Sequence, residues 1–279
     1  MNPSAERPRV LLTGAAGDVG TRLRPLLLAA YGALRLSDQR EPAVAPAPGE
    51  TFVRADLADP AQVARIVADI DAIVHLGGFS VEGPWETILS SNIVGTQVLY
   101  EAARVAGVAR IVFASSNHAV GFYRRDRRID HGVPPRPDTR YGLSKAFGEA
   151  LGALYADKHG LRVLNIRIGN VGDAPLDRRR LAIWIAPSDL MQLVRIGIEH
   201  PDLRYETVYG ASDNARAWWD NRRAHELGYR PAARSEDHAA RVLAVAEPAD
   251  PVGDLFQGGG YCTQGFDHDP AIAGRGNVG

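Results

Sequence analysis

The segment RVLLTGAAGDVG, residues 9–20, joins an apolar run to a glycine-rich turn near the start of the chain. Its first five residues predict a buried β-strand, and residues 17–31 predict a helix directly after it. Gly14 permits a tight turn, Gly17 lets backbone N–H groups approach a pyrophosphate, and Gly20 permits close packing of helix against strand. Because a helix N-terminus attracts anions, this strand–turn–helix pattern predicts a dinucleotide site rather than a merely structural turn. The predicted contacts are Gly14, Ala16, Gly17, Asp18, Val19 and Gly20.

Outward from this segment, short apolar runs alternate with helix-like segments through the first two thirds of the chain. Successive parallel strands need crossover connections, so we predict an α/β fold with one doubly wound parallel sheet of the Rossmann type and helices on both faces. The ligand crevice of such a fold lies at the carboxyl ends of the strands. Further strands are predicted at residues 34–37, 51–54, 71–76, 110–114 and 162–168, and further helices at residues 84–106 and 141–159 and from residue 60.

The alternation loosens after Gly169. Residues 173–180 are charged and contain a proline, which indicates a loop, whereas residues 203–209 predict a late strand. The chain is therefore divided into three parts. These are a dinucleotide-binding core at 1–168, a small C-terminal substrate-covering lobe with late core elements at 169–257, and a mobile, glycine-rich tail at 258–279.

Composition narrows the classes of partner. The 279 residues are 45% hydrophobic and 23% charged, which argues against a largely disordered chain. The formal charge of -1 gives no basic excess for nucleic acid, and no apolar run approaches the roughly 18 residues of a membrane-spanning helix. The single cysteine, Cys262, excludes an internal disulfide, and the first residues lack the apolar part of a secretory signal. We expect a cytoplasmic homo-oligomer that binds a small molecule and neither nucleic acid nor membrane.

An acidic residue at the end of the second predicted strand bears on cofactor choice. Asp38 follows Gly20 by 18 positions, where a carboxylate can accept hydrogen bonds from the adenosine ribose and repel a 2′-phosphate. This position favours NAD over NADP, although Arg40 keeps NADP as a second option and Asp38 could simply cap a turn. Asp56 and Leu57 follow the third strand, where such folds contact adenine, and a helix-capping role for Asp56 or Asp59 is equally compatible with the sequence.

A Y-x-x-x-K pattern at the start of a predicted helix suggests proton transfer. Tyr141 and Lys145 lie at i, i+4 and so share one face of that helix. We expect the Lys145 ammonium to favour the phenolate and lower the pKa of Tyr141 toward the working range. Ser116 follows the fifth strand, at the crevice, where its hydroxyl can bond a substrate oxygen and the phenol. The glycine turn, this serine and the Tyr–Lys pair occur in order, and together they predict Ser116, Tyr141 and Lys145 as catalytic.

These residues resemble the extended short-chain dehydrogenase/reductase superfamily, which is also described as the NAD-dependent epimerase/dehydratase superfamily. More narrowly, the chain is similar to the uronate dehydrogenases from about Arg9 to Gly260. The stretches that carry the resemblance are LLTGAAGDVG, ADLAD, IVHLGGFSVEGPWETILSSNIVG, LYEAAR, RIVFASSNHAVGFY, RPDTRYGLSKAFGE, WWDN and LFQGG.

The resemblance implies oxidation of the cyclic form of D-glucuronate or D-galacturonate at C1. Tyr141 would take the proton of the anomeric hydroxyl, hydride would pass from C1 to NAD, and an aldarolactone would form before it opens to the aldarate. The resemblance adds cofactor contacts at Leu76, Gly77, Gly78, Asn92, Tyr141 and Lys145, and it places substrate contacts at Ser80, Ser116, Asn117, His118, Tyr141, Asn170 and Arg179.

Two features leave the substrate contacts open. The family tends to have a serine where this chain has Asn170, which is longer and adds a donor. The carboxylate-binding arginine precedes a Leu-x-x-Trp pattern by two positions, which makes it Arg179. Its planar guanidinium suits a bidentate grip on a carboxylate. Arg178 and Arg180 flank it, so a shift of one residue would put a neighbour in its place.

Two other functions fit the fold. A nucleotide-sugar dehydratase would be expected to place an acidic pair beside the strand-end hydroxyl, where this chain has Asn117 and His118, and an epimerase would need a larger lobe after Gly169. A non-catalytic dinucleotide sensor could have lost the tyrosine or the lysine, and this chain keeps both. We predict no metal, because no second ligand stands at suitable spacing from His118 and hydride chemistry of this type needs none.

Overall fold

The computed structural model describes residues 7–270 and contains one seven-stranded, fully parallel sheet. The sheet order is β3-β2-β1-β4-β5-β6-β9, and β7 and β8 form a separate two-stranded sheet. Strand order reverses beside β1, which opens a crevice between the carboxyl ends of β1 and β4. The strands are β1 (Val10–Thr13), β2 (Leu34–Asp38), β3 (Glu50–Arg54), β4 (Ala72–His75), β5 (Arg110–Ser116), β6 (Arg162–Ile168), β7 (Asn170–Val171), β8 (Trp184–Ile185) and β9 (Tyr205–Gly210).

Helices cover both faces of the main sheet, as the sequence predicts. On one face, α1 and α7 bury Leu23 and Val194 in a core that continues to β1 and β6. On the other face, α2, α4 and α5 bury Ile66, Leu99 and Leu151. The helices are α1 (Asp18–Tyr31), α2 (Pro60–Val67), α3 (Trp85–Ile88), α4 (Gly95–Val105), α5 (Arg140–His159), α6 (Arg180–Ile183), α7 (Pro187–Glu199), α8 (Arg222–Glu226), α9 (Ala239–Leu243) and α10 (Gly260–Thr263).

The helical region predicted at 84–106 has an irregular centre. A π-helical stretch, Leu89–Val94, joins α3 to α4. Its extra residue per turn accompanies the burial of Asn92, whose side chain bonds the backbone of Phe79 and the hydroxyl of Ser144. The irregular turn therefore lies next to the crevice, as such turns often do at functional sites.

Residues after β6 contribute to the core as well as to a lobe. The predicted late strand forms as β9 and extends the main sheet in parallel beside β6. Tyr209 at its end stacks on Trp219 with ring centroids 4.7 Å apart, inside a small apolar cluster above the sheet.

The predicted mobile tail differs from the structure in its first part. Residues 256–263, here called the C-terminal segment, pack against the residues that follow β5. Gly258 N donates to Gly121 O at 2.9 Å, and Cys262 is 1% exposed. The segment is held by backbone hydrogen bonds and by close packing around the buried Phe256 and Cys262 side chains. Residues 271–279 lie outside the described residues.

Within residues 7–270, no helix is both long enough and apolar enough to cross a membrane. The same residues contain no group of three or more His, Cys, Asp or Glu side chains placed to hold a metal ion.

Candidate active site

The glycine turn leaves no room for side chains at two of its three glycines. Gly14 has φ +71°, and a Cβ there would lie 2.7 Å from the carbonyl carbon of Leu76. A Cβ at Gly20 would lie 2.3 Å from the carbonyl oxygen of Gly14, whereas one at Gly17 would lie 3.3 Å from that oxygen. The backbone of the turn thus closes tightly on β4 and on α1, as a dinucleotide-binding turn requires.

The N-terminus of α1 faces a cavity of about 540 Å³ at the carboxyl ends of β1, β2 and β4. Among the described residues, no backbone carbonyl accepts the N–H groups of Asp18 and Val19, which open the helix. These free donors and the glycine cradle fit a pyrophosphate. Most of the predicted cofactor contacts line the cavity: Gly14, Gly17, Asp18, Val19, Gly20, Asp38, Asp56, Leu57, Leu76, Gly77 and Gly78.

Asp38 lies at the mouth of this cavity, where the sequence places it. One carboxylate oxygen accepts the N–H of Ala16 at 3.1 Å, and the other accepts the N–H of Arg40 at 3.1 Å. The side chain therefore ties the glycine turn to the end of β2, and it remains half-buried on the cavity wall. The Asp56 carboxylate accepts the N–H of Ala58 at 2.9 Å, so Asp56 both lines the cavity and closes a turn.

Substitutions in the glycine turn should separate tight packing from general flexibility. We expect Gly20→Ala to lower the free energy of unfolding by about 1–3 kcal/mol, as overpacked sites do, and to weaken NAD binding. Gly17→Ala is the matched control for stability and should lower the free energy of unfolding less, because its Cβ would meet only one protein atom, at 3.3 Å. Its Cβ would instead face the pyrophosphate, so Gly17→Ala should weaken NAD binding while the fold stays stable. Urea denaturation and NAD titration measure the two effects. Equal losses of stability in both variants would contradict the packing argument.

Tyr141 is placed by the first turn of α5. The Thr139 hydroxyl accepts the N–H of Gly142 at 3.0 Å and caps the helix, and Glu82 accepts the N–H of Tyr141 at 3.0 Å. Glu82 belongs to the loop that carries Ser80, so a carboxylate bond joins that loop to the helix. Glu82 lies within the stretch IVHLGGFSVEGPWETILSSNIVG, and the sequence predicted no role for it.

Tyr141, Lys145 and Ser116 meet at one side of a second cavity of about 350 Å³. The Lys145 ammonium lies 5.6 Å from the centroid of the Tyr141 ring and 5.1 Å from that of Phe113. No acceptor among the described residues bonds this ammonium, which leaves it available to a ribose. Ser80 and Asn170 line the same cavity, so the three predicted catalytic residues share it with two predicted substrate contacts.

The pKa values of this trio differ from the prediction that Lys145 lowers the pKa of the Tyr141 phenol. Burial raises the pKa of Tyr141 to about 12, and the hydrogen bond from Ser116 only partly opposes the shift. Burial also lowers the pKa of Lys145 to about 8. The predicted lowering of the tyrosine pKa is therefore wrong for this state of the site, because desolvation of two buried groups outweighs a charge that lies beyond direct contact.

The buried Lys145 should cost stability in a pH-dependent way. In the folded chain its pKa is about 8, whereas an unfolded lysine has a pKa near 10.4, so between these values the unfolded state binds more protons and stability rises with pH. At pH 7 we therefore expect the free energy of unfolding of Lys145→Met to exceed that of the wild type by up to about 3 kcal/mol. The difference should shrink as the pH rises toward 10. Urea denaturation at several pH values tests this, and a constant difference would contradict it.

Asn92 lies behind the cavity wall rather than on it. Its amide oxygen accepts the N–H of Phe79 at 2.7 Å, and its amide nitrogen donates to the Phe79 carbonyl and to Ser144 Oγ, both at 2.9 Å. Ser144 in turn donates to the carbonyl of Tyr141 at 2.7 Å. Asn92 is thus satisfied by protein atoms, and it connects the loop after β4 with α5. Its predicted contact with the cofactor remains a prediction.

Arg179 is hydrogen-bonded to Asn117, the residue that follows Ser116 of the trio. With the Asn117 amide oriented by its neighbours, its nitrogen donates to the Ile168 carbonyl and its oxygen accepts Arg179 Nη2 at 2.7 Å. Arg179 Nε donates to the Gln257 carbonyl at 2.9 Å. Burial lowers the pKa of Arg179 to about 10. No carboxylate among the described residues lies within 4.0 Å of its guanidinium.

The other two arginines of this run point elsewhere. Arg178 is exposed and its guanidinium bonds the Leu243 carbonyl, and Arg180 pairs with Asp177. Of the three neighbours, Arg179 alone contacts Asn117, which follows directly after β5. Arg179 is therefore the member of the run that lies beside Asn117, and its contact with a substrate carboxylate stays a prediction.

His118 is held by Asp138 and Tyr261, for which the sequence predicted no role. Its Nδ1 lies 2.7 Å from Oδ2 of Asp138, a carboxylate that is wholly buried. Its ring stacks on Tyr261 of the C-terminal segment, with centroids 4.1 Å apart, and meets Tyr141 edge-on at 5.9 Å. Asp138 lies within the stretch RPDTRYGLSKAFGE, and an acidic residue just before the predicted helix was the available signal.

Comparisons with known proteins identify the family of the chain. Residues 10–187 match the NAD dependent epimerase/dehydratase family. A uronate dehydrogenase of Pseudomonas putida is 47% identical over 92% of this chain and 96% of its own length. A glucuronic acid dehydrogenase structure from Chromohalobacter salexigens is 45% identical with a TM-score of 0.88, and it covers 95% of this chain and 99% of its own.

A further solved structure bears on the cofactor. It is a variant of uronate dehydrogenase from Agrobacterium tumefaciens complexed with NAD, 42% identical with a TM-score of 0.88, and it covers 92% of this chain and 97% of its own. The glycine cradle, the free N–H groups of α1 and the placement of Asp38 agree with NAD as the cofactor. The chain therefore belongs to the NAD dependent epimerase/dehydratase family and, within it, groups with the uronate dehydrogenases as an NAD-dependent oxidoreductase.

Proposed function

We propose that the protein oxidises the anomeric carbon of a cyclic hexuronate, D-glucuronate or D-galacturonate, to an aldarolactone. The observation that carries this proposal is Arg179, a half-buried guanidinium that bonds Asn117, the residue after Ser116, and has no carboxylate partner among the described residues. A substrate carboxylate would supply the missing counter-charge. The relatives named uronate dehydrogenase support the same substrate class.

Proton transfer in the proposed reaction belongs to Ser116 and Tyr141. When bound, NAD⁺ supplies the acceptor for the hydride that leaves C1. Tyr141 Oη takes the proton of the anomeric hydroxyl while the C1–H bond breaks, and Ser116 Oγ holds the same oxygen as it becomes a carbonyl. The Lys145 ammonium, 5.6 Å from the tyrosine ring, stabilises the charge that Oη carries before the transfer.

The remaining polar groups would fix the orientation of the sugar. Ser80 and Asn170 line the cavity that contains Tyr141 and offer hydrogen bonds to ring hydroxyls. His118 and Asn117 follow Ser116 on the same short helical turn, Asn117–Val120. Because the ring oxygen is retained when C1 is oxidised, the product is a lactone. The aldarate would form only when that lactone opens.

The direct test mixes the purified protein with NAD and each uronate and follows the absorbance of NADH. Turnover with D-glucuronate or D-galacturonate, and much slower turnover with glucose at equal concentration, is the expected result. Turnover of nucleotide sugars without net NADH would instead indicate an epimerase or dehydratase of the same fold. Binding of NAD with no turnover of any sugar would indicate a sensor.

A further inference from the structure

The hydrogen-bonding state of His118 is set by what surrounds its two ring nitrogens. Nδ1 lies 2.7 Å from the Asp138 carboxylate, and an ionised carboxylate only accepts hydrogen bonds. Nε2 has no hydrogen-bond partner among the described residues, and it is not one of their buried unpaired polar atoms. Nδ1 is therefore committed to Asp138, and Nε2 remains accessible to solvent and free to bond another group.

Asp138 is itself locked in place. Its side chain is fully buried, its Oδ1 accepts the Thr139 hydroxyl at 2.9 Å, and the Cys262 thiol approaches its Oδ2 at 3.9 Å. A Cβ at Gly121 or Gly258 would collide with this carboxylate, so both glycines leave space for it. A residue with this many close neighbours cannot rotate away from His118 without moving the C-terminal segment.

We propose that Asp138 is a positioning residue for the proposed reaction. Its carboxylate holds His118 with the proton on Nδ1, and Nε2 is thereby presented as a hydrogen-bond acceptor for a hydroxyl of the sugar. The inference rests on the proposed function for the identity of the substrate. The two residues then bind different groups of the sugar acid: Arg179 donates to its carboxylate, and His118 accepts from one of its neutral hydroxyls.

The first experiment observes the imidazole without any substrate. The protein is labelled with ¹⁵N-histidine, and the His118 signals are assigned from their loss in His118→Gln. When the ring is neutral, we expect the two nitrogens of His118 to show the proton on Nδ1. A neutral ring with its proton on Nε2 would overturn the proposal. This test holds even if Asp138 variants fail to fold or uronates are not the substrate.

The second experiment uses Asp138→Asn, whose amide can donate to Nδ1 and so move the proton to Nε2. We expect the ¹⁵N spectrum to show that exchange, KM for the uronate to rise on the order of 10- to 100-fold, as for carboxylates behind metal-bound histidines, and kcat to change little. A fall in kcat with unchanged KM would overturn the proposal. In the His118→Gln background, Asp138→Asn should change KM less than about twofold, since the partner it acts through is gone.

Two variants separate positioning from general support. Cys262→Ala removes the thiol beside Asp138 and leaves the bond to His118, so KM and the position of the proton should stay as in the wild type. Thr139→Val removes the other partner of Asp138 and the cap of α5, so it should affect stability and kcat but not the His118 spectrum. If either variant moved the proton to Nε2, or if Asp138→Asn kept its full effect without His118, Asp138 would be a structural residue only.

Discussion

Tyr141→Phe should lower kcat for uronate oxidation by roughly 100- to 10,000-fold, the range that a positioned proton-transfer group contributes. The substitution keeps the ring, which His118 meets edge-on, and removes the oxygen that would take the anomeric proton. The larger cavity that fits the dinucleotide is not lined by Tyr141, so the affinity for NAD should change little. NADH absorbance measures kcat, and calorimetric titration measures NAD binding.

Tyr123→Phe is a matched control for this experiment. Tyr123 is also buried, and its hydroxyl donates to the Pro134 carbonyl at 3.0 Å, outside both cavities. Its loss should cost some stability and leave kcat near the wild-type value. Turnover that survives in Tyr141→Phe would remove the phenol from the mechanism while leaving membership of the family untouched.

The sheet was predictable because each strand carries its own local signal. The apolar runs at β1, β4, β5 and β6 are bounded by glycines and polar residues, and parallel pairing follows from the helices between them. The π-helical turn at Leu89–Val94 was not predictable, since the apolar spacing of a helix does not record one extra residue per turn. The packing of the C-terminal segment was not predicted because its contacts are made with residues that lie far away in the sequence.

The same difference between local and long-range contacts decides which parts of the candidate site were predictable. The glycine turn and the Tyr141–Lys145 pair depend on short spacing within one element, which the sequence displays directly. The bonds of His118 to Asp138 and of Tyr141 to Glu82 join residues 20 and 59 positions apart, and only the fold brings them together. The pKa values of Tyr141 and Lys145 depend on how deeply the groups are buried, and i, i+4 spacing contains no information on depth.

Arg179→Gln should reduce kcat/KM for a uronate by about 30- to 4,000-fold, the cost of truncating one partner of a buried charge pair. Glutamine keeps a hydrogen-bonding side chain but removes the positive charge, which burial already makes expensive to keep without a partner. The loss should appear chiefly in KM, because the carboxylate lies away from the bond that breaks. NAD affinity should stay unchanged.

The control and the comparison substrate decide what such a loss means. Arg178→Gln changes the exposed neighbour and should leave kcat/KM near the wild-type value, so a comparable loss there would shift the carboxylate site by one residue. Glucose has no carboxylate, and its slow oxidation should be no slower in Arg179→Gln than in the wild type. If the substitution slowed the oxidation of both sugars equally, the role of Arg179 would be to hold Asn117 and Gln257 in place. The substrate carboxylate would then need another partner.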